Sequence, residues 1–418
     1  MSELPLQAGL APRIATGPDG VPACVDWLLK QAALSGASDL HFEPRQEELL
    51  LRWRRDGCLA DAGVVRGPLR QNIVQRVKVL AGLLTYRTDI PQDGRIAGSA
   101  GSAGSAGSAG SAGPAGGDGA NGSAGVDMRV SVYPAALGEK IVVRFFHKQA
   151  AAAGVSSDRE WTLPALGLDA AQTRTLSDIL ARPQGMLLLT GPAGSGKTTT
   201  LYAALRQIVG HSKGQRQIVT IEDPVERILD GVTHTELRPA ANLDYPAALK
   251  ALLRQDPEVI MIGEIRDGET AQVAVQAALT GHFILSTVHA PSAPEVLLRL
   301  LHLGVEAYLA ASVVSAVVEQ RLVRRLCDCK VPGGSAAEPF RTAGCERCAK
   351  TGFSGRLLIA ELLKIDEPLR AAILARKDAR GLVDAAAAQA WRGLFARGME
   401  QVAAGLTTTG ELRRVLTE

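Results

Sequence analysis

Apolar residues recur every three to four positions in PACVDWLLKQAALSG (22–36) and RQNIVQRVKVLAGLL (70–84), the spacing of helices with one buried face. Between them, SDLHFEP (38–44) and ELLLRWRRDG (48–57) read as strands, and VDMRVSVYP (126–134) and EKIVVRFF (139–146) extend the same pattern. Strands bounded by Pro and Gly, with helices interposed, predict a small α+β domain ending near residue 150. From residue 162 to about 300 the pattern changes. GMLLLTG, QIVTIEDP, EVIMIGE and HFILSTVHA are short continuous apolar runs separated by helical stretches. Such runs are what parallel strands buried on both faces look like, so an α/β sheet is expected. Residues 300–418 read as mostly helical, interrupted by a cluster of cysteines.

Two segments fall outside these patterns. From Ser99 to Gly113 the chain repeats Ser-Ala-Gly five times, and small residues continue to Gly125. Side chains this small bury little area, so 97–125 is expected to be a flexible loop joining two strands. Residues 1–21 are likewise expected to be flexible, and 151–161 to be a linker.

Composition sets limits. The net charge is +3 over 418 residues and aromatics make up 4%, so neither a global pull toward nucleic acid nor a stacking platform for its bases is indicated. No apolar run approaches the roughly 18–20 residues of a membrane helix. The start has neither a basic nor an apolar signal region, so a cytoplasmic protein is expected.

The strongest chemical signal is GPAGSGKTTT, residues 191–200, placed between an apolar strand and a helical stretch. It fits the phosphate-cradling loop, in which Gly191, Pro192, Ala193, Gly194, Ser195 and Gly196 turn backbone N–H groups toward phosphate oxygens. Lys197 then reaches the β and γ phosphates of ATP, the Thr198 hydroxyl ligates Mg²⁺, and Thr199 continues the cradle. About 65 residues on, VIMIGEIRD brings an apolar strand to an end at Glu264. A carboxylate there can orient or deprotonate the attacking water.

Other polar residues admit two readings. Glu222, Asp223 and Glu226 are either a solvated acidic turn or a set facing a cation. His282 and His289 are too far apart to share one end of a strand; either is structural, or one senses the γ-phosphate. Asp39, His41 and Glu43 alternate along one strand face, which is thin support for a metal site. Cys327, Cys329, Cys345 and Cys348 form C-x-C and C-x₂-C pairs separated by 15 residues. They suit a structural Zn²⁺ or remain reduced thiols.

SDLHFEP, TYRTDIPQDGRI, VDMRVSVYPAALGEKIVVRFF, the phosphate loop, TIEDPVE, RQDPEVIMIGEIRD, TGHFILSTVHA and EQRLVRRLC occur together and in order. The set resembles the ATPases of type II secretion and type IV pilus assembly. The resemblance implies a PAS-like α+β N-terminal domain (22–150) followed by a RecA-like P-loop domain (162–418) with a helical C-terminal part. It implies catalytic roles for Glu222, Asp223 and Glu226 (the Asp box) and for His289, with His282, in the His box. Arg95 and Arg129, with Arg144 as a weaker match, would supply charge to the phosphates from the N-terminal domain. It further implies a homo-hexamer recruited to the inner face of the membrane through platform proteins, and gives SDLHFEP no metal. A pilus retraction motor and a nucleotide-binding regulator with little turnover are the alternatives.

Overall fold

The computed structural model describes residues 4–98, 126–146, 161–238, 241–335, 338–389 and 391–416. The Ser-Ala-Gly tract and nearly all of the expected linker lie outside them. The chain divides into two compact units, 1–155 and 156–418.

The first unit contains α1 (Gln7–Ile14), α2 (Val21–Leu34), β1 (Asp39–Pro44), β2 (Glu48–Arg55), β3 (Cys58–Arg66), α3 (Leu69–Leu80), β4 (Gln92–Ile96), β5 (Asp127–Ala135) and β6 (Gly138–Phe146). The strands form one antiparallel sheet in the order β3-β2-β1-β6-β5-β4. Leu40 and Phe42 of β1 are fully buried in one core with Val25, Leu28 and Leu29 of α2 and Ile73 and Val77 of α3. The alternate side chains of β1 serve a charged face. Asp39 pairs with Arg144 at 2.9 Å, and Glu43 with Lys140 at 3.2 Å. SDLHFEP is therefore a strand with one apolar and one ion-paired face.

The expectation of a flexible start is corrected. Residues 7–14 are helical, Leu6 and Leu10 are buried in this core, and Gln7 exchanges hydrogen bonds with the backbone of Val64. Gly9 and Pro12 make this a weak helix by propensity, but burial of two leucines overrides that.

The second unit contains α4 (Ala170–Leu180), β7 (Gly185–Thr190), α5 (Lys197–Ser212), β8 (Ile218–Glu222), β9 (Thr233–Glu236), α6 (Tyr245–Leu252), β10 (Val259–Ile262), α7 (Gly268–Leu279), β11 (Phe283–Thr287), α8 (Ala293–His302), α9 (Ala307–Val313) and β12 (Val314–Leu326). After these come β13 (Val331–Ser335), β14 (Glu338–Arg341), β15 (Phe353–Lys364), α10 (Glu367–Leu374), α11 (Ala379–Ala387), α12 (Gly393–Ala403) and α13 (Thr409–Val415). The main sheet runs β15-β12-β7-β11-β10-β8-β9, parallel throughout except for β15. Apolar clusters cover both faces, which is why β7, β10 and β11 are uninterrupted runs of buried residues.

The helical reading of 300–418 is also corrected in part. β12 and β15 are its longest elements, paired from Ala316–Lys364 to Leu326–Phe353. β-branched Val314, Val317 and Val318 fit this central position, where β12 pairs with β7 on its other side.

Candidate nucleotide and zinc sites

The nucleotide loop is the turn from β7 into α5. Gly191 has φ +148, and a Cβ there would sit 2.5 Å from the Gln320 carbonyl oxygen, so no larger residue fits. Gly196, at φ +89, precedes Lys197 as the helix N-cap, and no side chain caps the first turn. The N–H groups of that turn are left for an anion, with the positive end of the helix dipole behind them. Pro192, Ala193 and Gly194 form the exposed rim, Ser195 is buried, and Thr198 and Thr199 are half-buried in the first turn of α5. The Lys197 ammonium donates to the carbonyl oxygens of Gly191 (2.7 Å) and Pro192 (2.9 Å), so it lies along the loop. Burial lowers its pKa; Glu264 opposes that shift and Arg321 adds to it, which places both charges nearby.

Sequence reasoning missed the back wall. Gln320 of β12 is fully buried and donates from Nε2 to the Ser195 carbonyl at 2.9 Å. Arg321 donates to the carbonyls of Gln320 (3.0 Å) and Pro291 (3.3 Å), joining the loop's support to the segment after His289. The only sequence signal was EQRLVRRLC itself, which fixes identity but not orientation.

Glu264 follows the C-terminal end of β10. Its side chain is 17% exposed, held by Arg266 at 2.5 Å and lying 3.6 Å from His289 Nε2. His289 extends from the adjacent β11, and its loop is pinned to β7 because the Thr190 hydroxyl donates to the Ala290 carbonyl at 2.9 Å. Lys197, Glu264 and His289 thus gather at the carboxyl ends of β7, β10 and β11, where open parallel sheets bind ligands. Tyr245 is an additional member: its hydroxyl lies over Gly263, and burial, with the charges of Glu264 and Asp223, drives its pKa up. β8 pairs with β10 with Ile221 opposite Ile262, so Asp223, just beyond β8, lies by the same strand ends as Glu264.

Two expected residues lie elsewhere. His282 precedes β11 at the opposite end of the sheet, its Nδ1 2.8 Å from the Ala277 carbonyl oxygen. Glu222 is not presented to the site. It is 4% exposed, and its carboxylate is taken up by Tyr202 (2.6 Å), Thr220 (2.6 Å) and His234 (2.9 Å). The strand period explains this correction, since Glu222 shares the covered face of β8 with Thr220. Asp223 and Glu226, beyond the strand end, are exposed. In the first unit, Arg95, Arg129 and Arg144 occupy one cross-strand row, Arg95 opposite Arg129 and Arg129 opposite Arg144. Arg129 lies 3.8 Å from Asp93.

The four cysteines meet in the connection between β12 and β15. Their sulfurs all lie within 4.8 Å of one another, with Cys327–Cys345 and Cys329–Cys348 at 3.9 Å and Cys345–Cys348 at 3.7 Å. A tetrahedron of thiolates bound at ~2.3 Å has edges of ~3.8 Å, so the set fits zinc. Backbone N–H groups of Cys345 and Gly352 point at the Cys348 sulfur and hold its pKa down to about 6, favouring the thiolate a metal needs. The short C-x-C pair is accommodated because Cys327 directly follows β12 and the chain turns at once, the Lys330 N–H donating to the Cys327 carbonyl at 2.9 Å.

Among the described residues no helix is long and apolar enough to cross a membrane. The chain is 40% identical to the type II secretion system protein HxcR of Pseudomonas aeruginosa, over 95% of its own length and 78% of that protein's. It is 36% identical to the type II secretion system ATPase E of Vibrio cholerae, over 94% and 75% respectively. The ATPase DotB of Legionella pneumophila shares the fold at a TM-score of 0.64 and 19% identity, covering 94% of this chain and 95% of that one. The model of the type II/IV secretion system protein family matches residues 16–102 and 120–414. A nucleotide loop backed by Gln320, facing Glu264 and His289 in a chain matched along nearly all its length, makes this protein a P-loop ATPase of the type II/IV secretion system family.

Proposed function

We propose that this chain is the Mg²⁺-dependent ATP-hydrolysing motor of a type II secretion machine, driving assembly of a pilus-like fibre. The observation that carries the reading is the convergence of Lys197, Glu264 and His289 at one end of the parallel sheet, over a helix start with no cap of its own. Gly191–Thr199 hold the phosphates, with Lys197 moving from its carbonyl partners to the β and γ oxygens. Thr198 and the acids at the strand ends offer the oxygen donors that Mg²⁺ takes, and the ion neutralises charge on the phosphates. Glu264 accepts a proton from, or orients, the attacking water; Arg266 and His289 keep its carboxylate in place. Cys327, Cys329, Cys345 and Cys348 hold a structural zinc that closes the β12–β15 connection. The working assembly is a homo-hexamer recruited to the inner membrane face through platform proteins.

The variant Glu264→Gln tests this. It is expected to bind ATP as the parent does and to hydrolyse it at least ten- to a hundredfold more slowly, since a positioned base typically contributes about 10²–10⁴-fold. In a secretion-competent host whose only copy carries the variant, exoproteins should vanish from the culture supernatant. Parental turnover would remove Glu264 from its role. Loss of surface pili with exoproteins intact would assign the motor to a pilus instead.

A further inference from the structure

Glu222 binds no substrate in the reading above, yet its carboxylate is engaged by three side chains. Its Oε2 accepts the Tyr202 hydroxyl proton at 2.6 Å, and its Oε1 accepts from Thr220 at 2.6 Å and lies 2.9 Å from His234 Nδ1. The tautomer of His234 follows from its other nitrogen. Nε2 accepts the Leu229 N–H at 3.1 Å, so the ring proton sits on Nδ1 and is directed at Glu222. Tyr202 is similarly committed. With its own proton given to Glu222, the hydroxyl oxygen accepts the Arg227 N–H at 3.2 Å. Burial and the Glu222 charge push the phenol pKa up, so it remains a donor. Trp161 packs edge-on against the Tyr202 ring at 5.3 Å, and His234 stacks on it at 6.1 Å.

These contacts join three elements through one carboxylate. Tyr202 lies on α5, the helix that begins with Lys197; Thr220 and Glu222 are on β8; His234 is on β9. The segment carrying Asp223 and Glu226 runs from the end of β8 to β9, and its backbone is fixed at Arg227 and Leu229 by Tyr202 and His234. A third bond, from the Val225 N–H to Glu236 at 3.2 Å, holds it close to Asp223. The segment that carries Asp223 is therefore tied to α5, the helix that Lys197 begins, through a buried, donor-matched carboxylate.

We infer that Tyr202, Glu222, Thr220 and His234 form a clamp that positions Asp223 against the nucleotide loop, making them positioning residues of ATP hydrolysis. The inference rests on the ATPase reading above. Asp223 acts at the strand ends, beside Glu264, and the clamp acts only through it.

The test uses the full chain with Tyr202→Phe, which removes one hydroxyl and leaves the ring. Turnover should fall about tenfold, equivalent to ~1.4 kcal/mol of transition-state stabilisation, with KM for ATP within about twofold of the parent. Thr220→Val removes a different donor to the same carboxylate and should follow the same pattern. In an Asp223→Asn background, Tyr202→Phe should cause no further loss, whereas a purely structural role would cost the same in both backgrounds. Hydrogen exchange across 223–232 should quicken in Tyr202→Phe with the melting temperature little changed. Unchanged kcat, a rise in KM alone, or a loss that persists undiminished without Asp223 would each overturn the clamp. Lys197→Ala separates the two levels: if it still turns over ATP, the ATPase reading fails; if it is inactive and Tyr202→Phe is normal, only the clamp fails.

Discussion

Glu411, in the last helix, offers a measurable link between pH and stability. Its side chain is 0% exposed, and it accepts five hydrogen bonds: three from Arg324, including its backbone N–H, and two from Arg414, at 2.6–3.0 Å. Burial alone would raise its pKa, but the bonds from Arg414 and Arg324 outweigh it and hold the carboxyl at about 2, against an ordinary 4.5. A folded value below the unfolded one means stability that is present above the unfolded pKa and lost as pH falls toward the folded one. A gap of about two and a half units is worth about 3 kcal/mol at pH 7, falling to about 2 kcal/mol near pH 3.5. The perturbation is Glu411→Gln, which keeps the shape and removes the charge. Urea unfolding of parent and variant, at pH 7 and again at pH 3.5, should give a stability difference of about 3 kcal/mol that narrows by about a third in acid. A neutral-pH difference under about 1 kcal/mol, or one that widens in acid, would refute the reasoning.

Two further outcomes are expected. The purified chain should carry one zinc, released by a thiol-reactive mercurial, and Cys329→Ser should lower that content and the melting temperature; four titratable thiols with no metal would return the reduced-thiol reading. Gln320→Ala leaves the Ser195 carbonyl without its buried donor, so ATP affinity, followed by titration with a fluorescent analogue, should weaken about tenfold, as loss of one such bond implies; unaltered affinity would mean that the loop holds its shape without β12.

The nucleotide loop was legible because its chemistry is local: glycines, Lys197 and Thr198 are consecutive, and the flanking apolar run and helix are read from the same few residues. Glu264 was legible for a similar reason, as an acid ending an apolar strand. Glu222 and Asp223 are neighbours in sequence, yet Glu222 is buried against protein partners while Asp223 is exposed beyond the strand end. Which one is buried depends on where β8 stops and on Tyr202 and His234, which lie 20 and 12 residues away. Gln320 escaped notice because a glutamine in a mixed run such as VVEQRLVRRLC shows no period that separates strand from helix. Its role is defined by a backbone carbonyl 125 residues earlier. The N-terminal helix was hidden by Gly9 and Pro12, which argue against helix locally while Leu6 and Leu10 pack into a core built from residues further on. The C-x-C spacing alone left zinc and reduced thiols both open, and it is the turn after β12 that brings Cys329 to Cys348.

β12 is one unbroken strand of 13 residues, about 43 Å if fully extended. Near its start it flanks β7, at Gln320 it backs the nucleotide loop, at Arg324 it grips Glu411, and its last residue leads directly into Cys327 of the cysteine cluster. Parts that look separable along the chain, a metal knuckle and a C-terminal helical cap, are thus mounted on the beam that shapes the ATP site. The second unit is consequently not modular at its C-terminal side: a truncation made before residue 314 to isolate a minimal nucleotide-binding core would strip the loop of its rear support, and a graft of the cap onto another motor would have to bring that strand with it.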